Sequence, residues 1–210
     1  MTYQTRPKGR QSQEVADATR EAMLTGALKA FSESGYEAMS LRNTADQVGV
    51  SHGLFRRHFG TKEALWRDAV DHALDAYARE LALATRCAGG NPNIRDLVGI
   101  MIEVTAAQPM LVRLMVLEGY QNTPRAQYLS DAWHRLGGTY AELYRAEKWE
   151  GALKPFVYSD LFLFVLTAGM VPVALPGLSE SILGVDIGKP AERAIHIKRI
   201  QDVLFPDEAR

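Results

Sequence analysis

The stretch SHGLFRRHF, Ser51–Phe59, sets His52 and Arg56 one helical turn apart, with Arg57 beside them and Gly53 leaving bare backbone on the same side. On a short helix these residues make a face of hydrogen-bond donors and positive charge. A helix that enters the DNA major groove by its N-terminal residues can present an arginine to guanine O6 and N7. Each such two-bond contact contributes roughly 1–3 kcal/mol of base discrimination. Arg56 or Arg57 can do this, the other then meeting phosphate; a solvated surface charge is the plain alternative for each. Arg42 stands where it reaches either a base or a phosphate. Backbone amides at helix starts also bind phosphate, which brings in Ser40, Ser51, Thr61 and Lys62. His58 completes the candidate DNA contacts.

The elements that must hold this face are legible around it. From about Val15, Met23, Ala27 and Phe31 recur every four residues, a helical period that Gly35 stops. Ser40 precedes Leu41, Ala45 and Val48 at helical spacing, and Gly49 ends that short helix. Ser51 is a suitable N-cap for a third helix ending near Phe59 and Gly60. Ala45 is small where two helices must cross, Gly49 suits the turn between them, and Val50 and Phe55 supply apolar pins. A helical hairpin that merely packs is the alternative to a helix-turn-helix.

Thr61 caps a fourth helix, TKEALWRDAVDHALDAYARELALAT, which CAGGNPN breaks. Beyond it the pattern predicts helices at roughly 93–107, 109–121, 124–149, 156–175 and 190–204. No strand alternation, fixed-period repeat or low-complexity stretch is present. The expected organisation is a flexible basic arm at 1–14, a helix-turn-helix domain at 15–62, a connecting helix at 63–88 and a helical domain at 93–210. The arm's Arg6, Lys8 and Arg10 suit a minor groove or a phosphate ridge, or else form a plain tail.

Composition narrows the class. The 210 residues are 47% hydrophobic and 23% charged, ordinary globular usage. The net charge of −1 argues against a protein that coats nucleic acid along its whole surface. Residues 1–66 nevertheless hold nine Lys or Arg against seven Asp or Glu, so this stretch is net basic and the remainder net acidic. A single cysteine, Cys87, and a polar N-terminus lead us to expect a reducing, cytoplasmic setting. Leu161 to Leu178 is free of charge, but Pro172, Pro176, Gly169 and Gly177 interrupt it. It is read as a buried helix or helix pair, with no membrane partner.

The segment Arg20 to Trp66, REAMLTGALKAFSESGYEAMSLRNTADQVGVSHGLFRRHFGTKEALW, resembles the TetR family of bacterial regulators. The resemblance rests on Phe31–Gly35–Tyr36, Ala45, Gly49–Val50–Ser51, His58–Phe59 and Lys62–Glu63–Ala64–Leu65. It implies an all-α fold with an N-terminal three-helix DNA-binding domain and a C-terminal helical domain that binds an effector and dimerises. It also implies a homodimer on double-stranded operator DNA, acting as a repressor until a small molecule binds; an activator is the alternative, since the sign depends on where the operator lies. Four positions depart from the family pattern: Leu54 where a small hydroxyl residue is usual, Arg56 where tyrosine is common, Thr44 for an aliphatic residue and Gly26 for alanine. The last two are expected to loosen the small core.

In the second half, Met101, Leu114, Met115, Glu118, Trp133, Tyr140, Phe162 and Met170 are the residues expected at an effector pocket, against the alternative of ordinary core. Gln121 and His134 join Glu118 and Trp133 as polar groups able to orient a ligand. The uncharged helix and the C-terminal helix, with Ile195, Ile197, Ile200, Val203 and Leu204, have the pattern of a dimer seam. No cofactor, metal or catalytic residue is expected: the five histidines are scattered, and HExxH, CxxC and phosphate-loop motifs are absent. His72 and Asp75 lack a third ligand. A small helical enzyme and an effector-free architectural DNA-binding protein remain the alternatives.

Overall fold

The structure is a computed structural model that describes the backbone of residues 8–90, 92–120, 122–146 and 157–206. Within these it describes the side chains of all but 8–13 and 138–146. Every regular element among the described residues is helical. The chain divides into two compact units, Met1–Ala73 and Leu74–Arg210.

In the first unit, α1 (Lys8–Ala38) starts inside the stretch expected as an arm and kinks at Gly35. Its four-residue recurrence is the core face: Met23, Leu24, Ala27, Leu28 and Phe31 are all buried. Across from it come α2 (Leu41–Val48) and α3 (His52–Phe59), followed by the start of α4 (Lys62–Cys87). Ala45, Phe55, Phe59, Leu65 and Trp66 close this core. Thr44 is buried too, and its hydroxyl donates to the Ser40 carbonyl at 2.9 Å, so the polar group that replaces an aliphatic one is satisfied locally.

The second unit begins within α4. The buried Tyr77 hydroxyl donates to the Met101 carbonyl at 3.1 Å and lies 3.3 Å from Thr105 Oγ1, tying α4 to α5 (Ile94–Ala107). Next are α6 (Met110–Glu118) and α7 (Pro124–Ala146). The stretch expected as one helix at 156–175 is instead α8 (Tyr158–Phe164), a wider π-helical segment (Val165–Met170) and α9 (Val171–Ala174). The π segment lies just before Pro172, whose ring nitrogen has no hydrogen to give the carbonyl four residues back.

The chain then bends by 95° into α10 (Pro176–Leu183), an element absent from the sequence reading. Pro176 and Gly177 read as breakers, yet proline at the first helical position favours a start. At this break Arg113 Nε donates to the Ala174 carbonyl and Ser179 Oγ to the Pro172 carbonyl, each at 2.6 Å, satisfying groups that a helix end leaves open.

Helix α11 (Pro190–Leu204) packs on α5 and the π segment through two glycines. A Cβ at Gly99 would stand 3.0 Å from Gln201 Nε2 on α11, and one at Gly169 would stand 2.9 Å from Ile102 Cδ1 on α5 and 3.9 Å from Ile200 Cγ2 on α11. Arg95 and Gln201 complete the seam: Arg95 pairs with Asp202 at 2.7 Å, and Gln201 donates to the Arg95 carbonyl at 2.8 Å. No single helix among the described residues is long and apolar enough to cross a membrane.

Candidate nucleic-acid interface and ligand cavity

The turn between α2 and α3 is a Schellman motif. Gly49 takes the left-handed conformation (φ 77°, ψ 29°); its N–H reaches the Asp46 carbonyl at 3.2 Å, and that of Val50 reaches Ala45 at 3.0 Å. Ser40 and Ser51 cap the two helices, accepting from Asn43 N at 3.4 Å and Leu54 N at 3.2 Å. Gly60 (φ 70°, ψ −71°) then turns the chain within three residues, with Thr61 N donating to the Phe59 carbonyl at 2.8 Å. Such a turn is open to glycine at little steric cost.

These closures fix which way α3 faces. Phe55 and Phe59 point inward with ring centroids 5.8 Å apart. Ser51, His52, Gly53, Arg56, Arg57 and His58 are exposed, as is Arg42 on the first turn of α2. The side chains of Arg42, Arg56 and Arg57 make no hydrogen bond or ion pair with other described residues. Lys62 is different: its ammonium donates to the Glu37 carbonyl at 3.2 Å and lies 4.8 Å above the Tyr36 ring, anchoring the end of α1 to the start of α4. Arg20, unnoticed as an anchor in the sequence, pairs with Asp68 at 2.7 Å and covers Phe59 at 5.5 Å.

The second unit contains a cavity of about 960 Å³ between α6, α7, α8 and the π segment. Of the residues expected at a pocket, Met115, Trp133 and Phe162 line it, as does His134. Leu114 and Met170 are fully buried in the core and do not line it. Glu118 also stays outside, buried and paired with Arg125 at 3.1 Å. Met101 borders a separate void of about 20 Å³ on the far side of Tyr158 and Phe162. Tyr140 and Gln121 lie outside the described side chains.

Sequence reasoning missed Tyr158, Leu166 and Thr167 as wall residues. The i, i+4 spacing of Tyr158 and Phe162 on one helix was the available signal. Among the described residues no three His, Cys, Asp or Glu side chains gather as a metal site.

A short crossing pair of capped helices, with an exposed basic face on the second, defines a helix-turn-helix protein. The profile of the bacterial regulatory proteins of the tetR family matches residues 23–69. The chain is 28% identical over 116 residues to the HTH-type transcriptional regulator RutR of Escherichia coli, covering 55% of this chain and 54% of that protein. It thus spans about half the length of that relative. It is 44% identical over 66 residues to the HTH-type transcriptional repressor Rv3405c of Mycobacterium tuberculosis, covering 31% of this chain and 32% of that one.

The fold is shared with a TetR family transcription regulator from Marinobacter aquaeolei, at a TM-score of 0.67 and 16% identity, over 90% of this chain and 97% of that one. It is shared also with the fatty acid degradation regulator FadR of Bacillus halodurans, at a TM-score of 0.62 and 15% identity, over 90% and 99%. Over residues 23–69 the chain is therefore similar to the bacterial regulatory proteins of the tetR family.

Proposed function

We propose that the chain is a homodimeric transcription regulator, a repressor, whose α3 enters the major groove of a double-stranded operator and whose grip is loosened by a small, largely apolar effector. The observation that carries this reading is the face of α3. Its inner side is locked by Phe55 and Phe59, while His52, Gly53, Arg56 and Arg57 stand exposed, the two arginines unpaired among the described residues. One arginine reads guanine and the other holds phosphate. Arg42 and the capped start of α3 add phosphate contacts. The relatives' names, regulator and repressor, support the same reading.

The cavity supports an effector over a purely architectural role, because a packed second unit would leave no such space. Leu163 on α8 and Ile195 and Val203 on α11 are exposed and apolar, as a seam covered by a second copy would be. In the dimer two α3 helices meet successive major grooves, about 34–36 Å apart. Effector binding selects a spacing that no longer fits, and by linkage the operator weakens the effector by the same factor.

The test is binding of the purified protein to genomic fragments, with sequencing of the bound pool, for the wild type, Arg56→Ala and Arg57→Ala. The wild type should enrich one palindromic site and lose it steeply with salt. The variant lacking the guanine contact should lose about ten- to a hundredfold and relax its sequence preference. The variant lacking the phosphate contact should weaken on all sequences alike, with a shallower salt slope. Diffuse binding by the wild type would overturn the proposal.

A further inference from the structure

The walls of the cavity specify the chemistry of what fills it, on the reading that it is the effector site. None of its described lining residues is Asp, Glu, Lys or Arg. A carboxylate or ammonium placed there would lose its hydration without gaining an opposite charge. The carboxyls next to lining residues in sequence are engaged elsewhere: Glu118 pairs with Arg125, Asp131 accepts from Gln127, and Asp160 accepts from Val157 N. One wall is aromatic: Trp133 and Phe162 have centroids 5.6 Å apart, and Phe162 stacks on Tyr158 at 6.4 Å.

Polar side chains interrupt the apolar lining: Ser130 and His134 on α7, Tyr158 and Ser159 on α8, and Thr167 in the π segment. His134 Nδ1 lies 2.7 Å from the Ser130 carbonyl oxygen. A carbonyl oxygen only accepts, so Nδ1 carries a proton, and in the tautomer with that single proton Nε2 is an acceptor. No described residue donates to it. The Trp133 indole N–H has no acceptor among the described residues, but its nitrogen is buried and offers the cavity no donor. The Tyr158 hydroxyl donates to the Gly137 carbonyl and the Thr167 hydroxyl to the Leu163 carbonyl, which leaves the exposed His134 ring to offer Nε2 as an acceptor on the cavity's lining.

We infer that the effector is an uncharged, mainly aromatic or aliphatic compound bearing a hydroxyl that donates to His134 Nε2. A volume of about 960 Å³ lies at the upper end of small-molecule sites and accommodates a ring with a long alkyl chain or several fused rings.

The test is calorimetric titration of the full chain with three probes on one skeleton: para-octylphenol, its methyl ether and para-octylbenzoate. The phenol should bind, the ether about tenfold more weakly for the lost hydrogen bond, and the benzoate more weakly still. His134→Phe should bring the phenol to the affinity of the ether and leave the ether unchanged. Binding of the benzoate as tightly as the phenol, equal loss of phenol and ether in His134→Phe, or no binding by any probe would overturn the inference.

Release of a bound operator fragment separates this inference from the regulatory reading. Phenol binding without release sinks the regulatory reading and leaves the ligand class standing. Release by the benzoate and not the phenol does the reverse.

Discussion

Gly26 on α1 and Val48 on α2 pack so closely that a Cβ built on Gly26 would overlap Val48 Cγ2 and stand 3.8 Å from Val48 Cβ. Valine is stiff about χ1, so its methyl has little room to turn away. Alanine in place of glycine favours a helix by about 1 kcal/mol, whereas overfilling a packed contact costs about 1–3 kcal/mol. Gly26→Ala should therefore lower stability by roughly 1 kcal/mol, and Val48→Ala should restore the benefit of alanine. Chemical denaturation of both single variants and the double variant measures the coupling. Additive effects would mean that α2 simply moves aside.

That contact also shows where sequence reading stops. Glycine in place of a commoner alanine looked like a loosened core, because the space Val48 occupies cannot be seen along one chain. The helix-turn-helix itself was legible, since Ser40, Gly49 and Ser51 act through bonds to residues within five positions. The cavity was legible only in part. Met115 faces it and its neighbour Leu114 does not, a distinction set by how α6 is rotated against its partners. The helix α10 was hidden because Pro176 signals a break and a start with the same residue.

Acid should weaken the α5–α11 seam. A hydrogen bond from Lys198, with the positive charges of Lys198 and Arg95, holds the exposed Asp202 carboxyl below the ordinary aspartate range. A folded-state pKa lowered in this way contributes stability above the unfolded value and loses it as pH falls through the folded one. Thermal unfolding should thus place Asp202→Asn below wild type at neutral pH by a small margin, as befits an exposed pair. The two curves should converge at strongly acidic pH. Parallel curves would show that the pairing adds nothing to folding.

The exposed apolar positions of α11 give a test of assembly. Ile195 and Val203 are 47% and 63% exposed and lie two turns apart. Val203→Asp should convert a dimer to monomers in light scattering after size exclusion and weaken operator binding. Its helical content should stay unchanged, because the wild-type side chain reaches mostly water within one copy. A variant that remains dimeric would move the seam elsewhere.

The π segment has a consequence for how such a protein diversifies. Leu166 and Thr167 border the cavity, whereas Gly169 sits against Ile102, Met170 is fully buried, and the Gly169 carbonyl is held 3.1 Å from His196 Nε2. Replacements at the first two positions change the shape of open space and leave the backbone where it is. Replacements at the second two push on α5 and α11. One edge of this six-residue turn is therefore free to change the cavity's shape, while packing against two helices constrains the other edge.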